Sequence, residues 1–167
     1  MKLILGVCLI SLFSVCEAIA QDQLSCVLFD GFSHLLKQSR YGRDMNATEV
    51  SAWILQNETL QKWPGVAERL RDVWHGKIPD GVVAQAHVHP YVASPRPSTT
   101  DVATSKQIRM NIYTISTDAV WVVYPDGEIL QKAGADWFLK YQKFCASKND
   151  NTIVNFGLPH TSLAGSK

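Results

Sequence analysis

Apolar residues recur along this chain at two periods. Leu24, Val27, Leu28, Phe32, Leu35 and Leu36 fall three or four positions apart, which predicts an amphipathic helix from about Asp22 to Ser39. Glu49 to Leu55, EVSAWIL, has the β-branched and aromatic content of a strand. Gln56-Asn57-Glu58 reads as a turn and Thr59 to Trp63 as a return strand, broken by Pro64-Gly65. Val66 to Trp74 fits either a helix or irregular chain.

After the turn residues Ile78-Pro79-Asp80-Gly81, Val82 to His89 reads as a second buried strand. Two prolines make Tyr91 to Pro97 a loop, and Ser98 to Met110 looks helical. Asn111 to Ser116, Ala119 to Tyr124 and Glu128 to Leu130 predict three short strands joined by tight turns. Ala135 to Cys145 places Trp137, Phe138, Tyr141 and Phe144 on one side of a last helix. From Ser147 the chain turns polar, and a frayed tail over 147–167 is expected. Strands and helices mix without regular βαβ alternation. The pattern is therefore α+β, a mixed sheet with helices packed on it.

Composition adds little to this picture and removes some classes of function. The chain has 167 residues, enough for one domain, and a formal net charge of +1 with both signs dispersed. A nucleic-acid binder would show a basic stripe or patch, and none is present. Positions 1–20 stand apart from the fold. Met1-Lys2 precede an apolar run from Leu3 to Val15, and Ala18-Ile19-Ala20 offers a small-residue cleavage site. That is the layout of a secretory signal peptide cut after Ala20, with an apolar run too short for a comfortable membrane span. A lipoprotein reading would use Cys16, but Val15 stands where a small residue is expected. The mature domain is then 21–146, exported or periplasmic, with no stable membrane span. Cleavage would leave Cys26 and Cys145, which in an exported protein suggests one disulfide between the first and last helices; two unrelated buried thiols are the alternative. Asn46-Ala47-Thr48 and Asn57-Glu58-Thr59 are glycosylation sequons, meaningful only in a eukaryotic secretory pathway.

The stretch that carries chemistry is AHVHPYVASPRPSTTD, Ala86 to Asp101. Side chains two apart on a strand share a face, so His87 and His89 can converge on one ion. Zinc accepts histidine nitrogens and carboxylate oxygens, and a catalytic zinc takes three protein ligands; Asp101 is the nearest downstream candidate. A plainer reading stands beside this one. H-x-H at a strand end arises by chance, and Ser98 followed by Asp101 is also a helix start, a cap with an acid in the first turn. His34, His75 and His160 read as bystanders, and the five tryptophans as core or sheet-packing residues.

In order and spacing these features resemble the JAMM (MPN+, JAB domain) metallopeptidase motif: H-x-H-P, a short loop, then S-x-x-D, with a glutamate on an earlier strand. Here the residues are His87-Val88-His89-Pro90 and Ser98-Thr99-Thr100-Asp101. KIPDGVVAQAHVHP and NIYTISTDAVWVVYPDGEIL are similar to the flanking segments of secreted bacterial members, so the likeness covers roughly Glu49 to Leu130. One departure is visible. The loop Pro90 to Pro97 has eight residues where the motif usually has seven.

The resemblance implies a JAMM-like, cytidine-deaminase-like α/β/α fold. It also implies Zn²⁺ held by His87, His89 and Asp101, a zinc-held water as nucleophile, Glu49 as general base, and Ser98 donating to the oxyanion. Glu68 is the other candidate for the base; Glu58 sits in a predicted turn. The implied activity is hydrolysis of an amide or isopeptide bond in an exported protein or peptide, peptidoglycan peptides included. Two other classes fit parts of the sequence: a non-catalytic JAMM-like scaffold, and an NlpC-type peptidase using Cys26 with His87. No residue identifies the substrate or the oligomeric state.

Overall fold

A computed structural model describes residues 24–43, 48–64 and 71–153, with the side chains of 149–153 left aside. Residues 1–23, with the expected signal peptide, Glu68 and residues 154–167 lie outside the described residues.

The first helix, α1, spans Cys26–Gln38. It starts where Ser25 accepts a hydrogen bond from the Leu28 N–H through its side chain, satisfying one of the free donors of the first turn. Four strands and a helix of the site follow: β1 Val50–Leu55, β2 Leu60–Lys62, β3 Val82–Val88, α2 Thr99–Ile108 and β4 Asn111–Ile115. The chain ends in β5 Val120–Val123, β6 Ile129–Ala133 and α3 Trp137–Ile153. The predicted elements are all present. The last strand and the last helix run further than expected, α3 well past Cys145 and through the start of the expected tail. The 71–74 part of the ambiguous stretch forms no helix.

One six-stranded sheet has the order β2-β1-β3-β4-β5-β6. Every pair is antiparallel except β3 with β4. Neighbouring parallel strands cannot be joined by a hairpin, and α2 is the crossover that joins them. This single βαβ unit escaped the sequence pattern, and it builds the site. A crossover helix begins beside the carboxyl end of the strand that feeds it, so the first turn of α2 returns to the end of β3. Because β1 runs antiparallel to β3, the start of β1 lies at that same end. The fold is the expected α+β mixed sheet with flanking helices.

The two faces of the sheet divide the labour. Ala84, Ala86 and Val88 of β3, with Val50, Ala52 and Ile54 of β1, belong to the main core under α1 and α3. Phe32, Leu35 and Leu36 of α1 are almost wholly buried there, each contributing about 1.5–3 kcal/mol of hydrophobic stabilisation. Phe29 packs against Trp137, Phe138 and Tyr141 of α3, and the Trp137 indole N–H donates to the Ser116 carbonyl at 2.9 Å. The Cys26–Cys145 disulfide, with Cα atoms 5.6 Å apart, joins the two helices as the cysteine count suggested. It also removes the thiol that a Cys26 nucleophile would need. The opposite face carries Ser51 and Trp53 of β1 and Gln85 and His87 of β3, and α2 lies on this side, its Ser105 hydroxyl bonded to the Val123 carbonyl of β5. Among the described residues no helix is long and apolar enough to cross a membrane.

Candidate metal centre

His87 is the penultimate residue of β3, and His89 lies one residue past its end. His89 stays in line because its N–H donates to the Ile115 carbonyl of β4 at 2.9 Å. Both side chains turn to the face away from the main core, and both are buried, 4 % and 6 % exposed. Their Nε2 atoms are 3.0 Å apart. The Nδ1 of His89 donates to the Ser94 carbonyl at 2.6 Å. A nitrogen that donates must carry the proton, so in the neutral ring the Nε2 lone pair is the one facing His87.

Asp101 arrives from the first turn of α2. Its two oxygens do different work. Oδ2 accepts the Ser98 backbone N–H at 2.6 Å and the Ser98 hydroxyl at 2.7 Å, while the Asp101 N–H donates back to Ser98 Oγ at 3.2 Å. This is a reciprocal capping box, with aspartate at the third helical position. Oδ1 faces His87 Nε2 at 3.4 Å, and Oδ2 lies 3.7 Å from His89 Nε2. The cap and the ligand readings of Ser98 and Asp101 are therefore not rivals, since the cap orients the carboxylate toward the histidines. In this arrangement the hydroxyl proton of Ser98 is committed to Asp101. Ser98 acts here as a positioning group, and donation to an oxyanion would require that bond to break.

The eight-residue loop closes without displacing these groups. Ala93 N–H donates to the Pro90 carbonyl, the Ser94 carbonyl takes His89, and the Pro95 carbonyl accepts from Thr114 Oγ1 at 3.1 Å. Thr114 is the β4 partner of His87 and is fully buried.

Glu49 precedes β1, where Val50 pairs with Val88 and Ser51 with His87. One further step in that register sets Glu49 beside His89. Glu49, His87 and His89 offer ligand atoms that all lie within 4.8 Å of one another, a group able to hold a metal ion. The grouping omits Asp101, although its contacts of 3.4 and 3.7 Å are shorter. Two ligands on a tetrahedral ion with bonds near 2.0–2.1 Å sit about 3.3 Å apart. The His87–His89 and His87–Asp101 separations match that edge length. By this measure Asp101 is the better third ligand, and Glu49 stands just outside.

The electrostatics fit a cation. Burial lowers the His87 imidazole to about 4, partly offset by the Asp101 charge, so His87 is neutral at physiological pH. Burial also acts to lower His89, but Asp101, the Ser94 carbonyl and the Glu49 charge outweigh it, and its pKa is raised. Burial likewise works against the Asp101 carboxylate, yet His89, His87 and the two Ser98 donors hold its pKa well below the usual range. Burial lifts Glu49 to about 6; the nearby His89 opposes this, while Asp101 and Asp72 add to it. With both imidazoles neutral, two carboxylates share a pocket with two lone pairs. The Nδ1 of His87 is buried with no hydrogen-bond partner among the described residues, which leaves its Nε2 as the side of the ring with work to do.

Two contributors were invisible in the sequence. Asp72 accepts the Ser51 N–H at 3.1 Å and so reaches the edge of the site from a stretch with no clear pattern. The Ser94 carbonyl is backbone and has no sequence signal. No protein-family model matches this chain, and comparison with curated proteins returns no match.

Proposed function

We propose that the chain is a zinc-dependent hydrolase of amide or isopeptide bonds, JAMM-like in its motif, acting on an exported protein or peptide substrate. The observation that carries this reading is the pairing of two histidine Nε2 atoms 3.0 Å apart with a carboxylate oriented toward both by its own helix cap. Nitrogen and carboxylate donors at tetrahedral spacing suit zinc better than calcium or magnesium, which prefer all-oxygen sites.

His87, His89 and Asp101 would hold the ion. When bound, zinc supplies Lewis acidity, bringing the pKa of a coordinated water from about 15.7 to about 7. The chain's own residues supply the rest. Glu49, half-buried and titrating at about 6 before an ion is present, is suited to accept a proton near neutral pH and return it to a leaving amine. The Ser94 carbonyl keeps His89 in its ligating tautomer. Ser98 keeps Asp101 ionised and aimed. The Cys26–Cys145 disulfide supports an oxidising compartment, in line with the signal-like N-terminus. Peptidoglycan cross-bridge peptides and exported proteins supply such bonds there.

The test is hydrolysis of lysine Nε-linked isopeptides and of peptidoglycan peptides, with and without a chelator. Wild type should cleave one class and lose activity on chelation, with recovery on adding zinc. Glu49→Gln should lower the rate about 10²–10⁴-fold. Cleavage that survives exhaustive chelation, or a fully active Glu49→Gln, would overturn the proposal.

A further inference from the structure

Between α1 and the site the backbone does something unusual. Arg40, Tyr41 and Gly42 have φ of 51°, 59° and 70°, three consecutive residues in the left-handed region. Single residues visit that region; runs of them are disfavoured by the clash of Cβ with the following carbonyl. Such a turn persists only where its surroundings hold it.

The surroundings are partly local. Ser39, almost fully buried, donates its hydroxyl to the Leu36 carbonyl at 2.8 Å and accepts the Gly42 N–H through its Oγ at 3.1 Å. The Gly42 N–H also donates to the Ser39 carbonyl at 3.0 Å and the Arg43 N–H to the Arg40 carbonyl at 3.1 Å, and a further anchor is the metal centre's own backbone. The Tyr91 N–H donates to the Gly42 carbonyl at 2.8 Å. A Cβ placed on Gly42 would lie 2.8 Å from the His89 carbonyl oxygen and 3.1 Å from the Tyr91 nitrogen, both backbone atoms that cannot rotate away. Arg43 stacks on the Tyr91 ring, 5.2 Å from its centroid. Pro90, between the two contact points, is fully buried.

His89 needs such support. It lies beyond the last residue of β3 and is tied on its amide side to Ile115. Its carbonyl side faces the turn.

We infer that the left-handed turn Arg40–Gly42 is a positioning element for the metal centre, and that Gly42 is a positioning residue whose missing side chain sets where His89 stands. This rests on the metal-centre reading above. The turn forms a wall against which His89-Pro90-Tyr91 is pressed, and Gly42 is the one residue type that supplies both the φ and the close approach.

Gly81 provides the control. Its φ is 79°, but a Cβ there would meet nothing within 4 Å. An alanine at either position carries the left-handed backbone penalty, and only Gly42→Ala pushes on His89. The experiment is Co²⁺ titration of the full chain, followed by visible d–d absorption, for wild type, Gly42→Ala, Gly81→Ala and Ser39→Ala, with thermal melts beside each. Gly42→Ala should bind Co²⁺ about 10–100-fold more weakly, with a changed spectrum, as expected when a group supporting a ligand is displaced. Gly81→Ala should bind like wild type despite a lowered melting temperature. Gly42→Ala binding within about twofold of wild type, below that range, would overturn the inference. So would an equal loss in Gly81→Ala, which would make the effect one of general stability. If Gly42→Ala does not fold, Ser39→Ala decides, because it loosens the turn without a clash: several-fold weaker Co²⁺ binding supports the inference and unchanged binding overturns it. A wild type that binds no Co²⁺ overturns the metal reading and this inference together.

Discussion

The Nε2 of His89 lies 3.0 Å from the Nε2 of His87, while its other ring nitrogen donates to the Ser94 carbonyl at 2.6 Å. One bond fixes which nitrogen carries the proton, and the strand end fixes where the other points. The consequence is a pH signature for metal binding. A ligand must be deprotonated, so bound protons compete with the ion. His87, lowered to about 4, carries no competing proton at neutral pH. His89, raised above 6.5, is protonated below its own pKa and must lose that proton. Metal affinity should therefore fall as pH drops through the raised His89 value, well before His87 titrates. Calorimetry in buffers of differing ionisation enthalpy at pH near 6.5 should register proton release on metal binding. Affinity that stays flat down to about pH 5 would contradict the assignment of His89, whose unperturbed value is about 6.5.

Asp101 and Glu49 should separate in the same assay. Asp101 contacts both imidazoles at 3.4 and 3.7 Å, and Glu49 belongs to a looser group of 4.8 Å. Asp101→Ala should weaken metal binding by more than about tenfold, while Glu49→Gln should keep the ion and lose hydrolysis. If Glu49→Gln loses the metal and Asp101→Ala keeps it, their roles are exchanged.

Ser98 should contribute to both stability and metal affinity. Ser98→Ala removes a cap hydroxyl, at a cost of about 0.5–2 kcal/mol, and frees the Asp101 carboxylate to turn. Urea denaturation would show the first effect and metal titration the second. A variant with lowered stability and unchanged metal affinity would limit Ser98 to its cap.

The disulfide acts at a distance from the site. Cys26 and Cys145 are 119 residues apart, so opening the bond releases a long loop in the unfolded chain, worth about 2–5 kcal/mol. The double variant Cys26→Ala/Cys145→Ala should melt at a lower temperature and still bind metal, because no site residue lies on α1 or α3.

Much of this was legible in the sequence, and the reasons differ by element. Apolar periodicity located α1, since one face of it is buried and the other is not; β1 and β3, buried on both faces, were legible instead from their short apolar, β-branched runs. The H-x-H pair and the S-x-x-D start were readable because both rest on local geometry, a strand period of two and a helix cap. Pairing is not local. The parallel β3–β4 ladder, which makes α2 a crossover and brings Asp101 back to His87, depends on strand order that no short pattern encodes. Asp72 and Gly42 were unreadable for the same reason: each acts across a long loop, one through a side chain on β1's amide and one by having no side chain at all.

The most direct test is the metal content of wild type purified at neutral pH and dialysed against metal-free buffer, beside His89→Ala and Asp101→Ala. A stoichiometry of about one zinc per chain in wild type, lost in both variants while each keeps its fold by circular dichroism, is the predicted result. A wild type with no stoichiometric zinc, or variants that retain it, would contradict the metal centre.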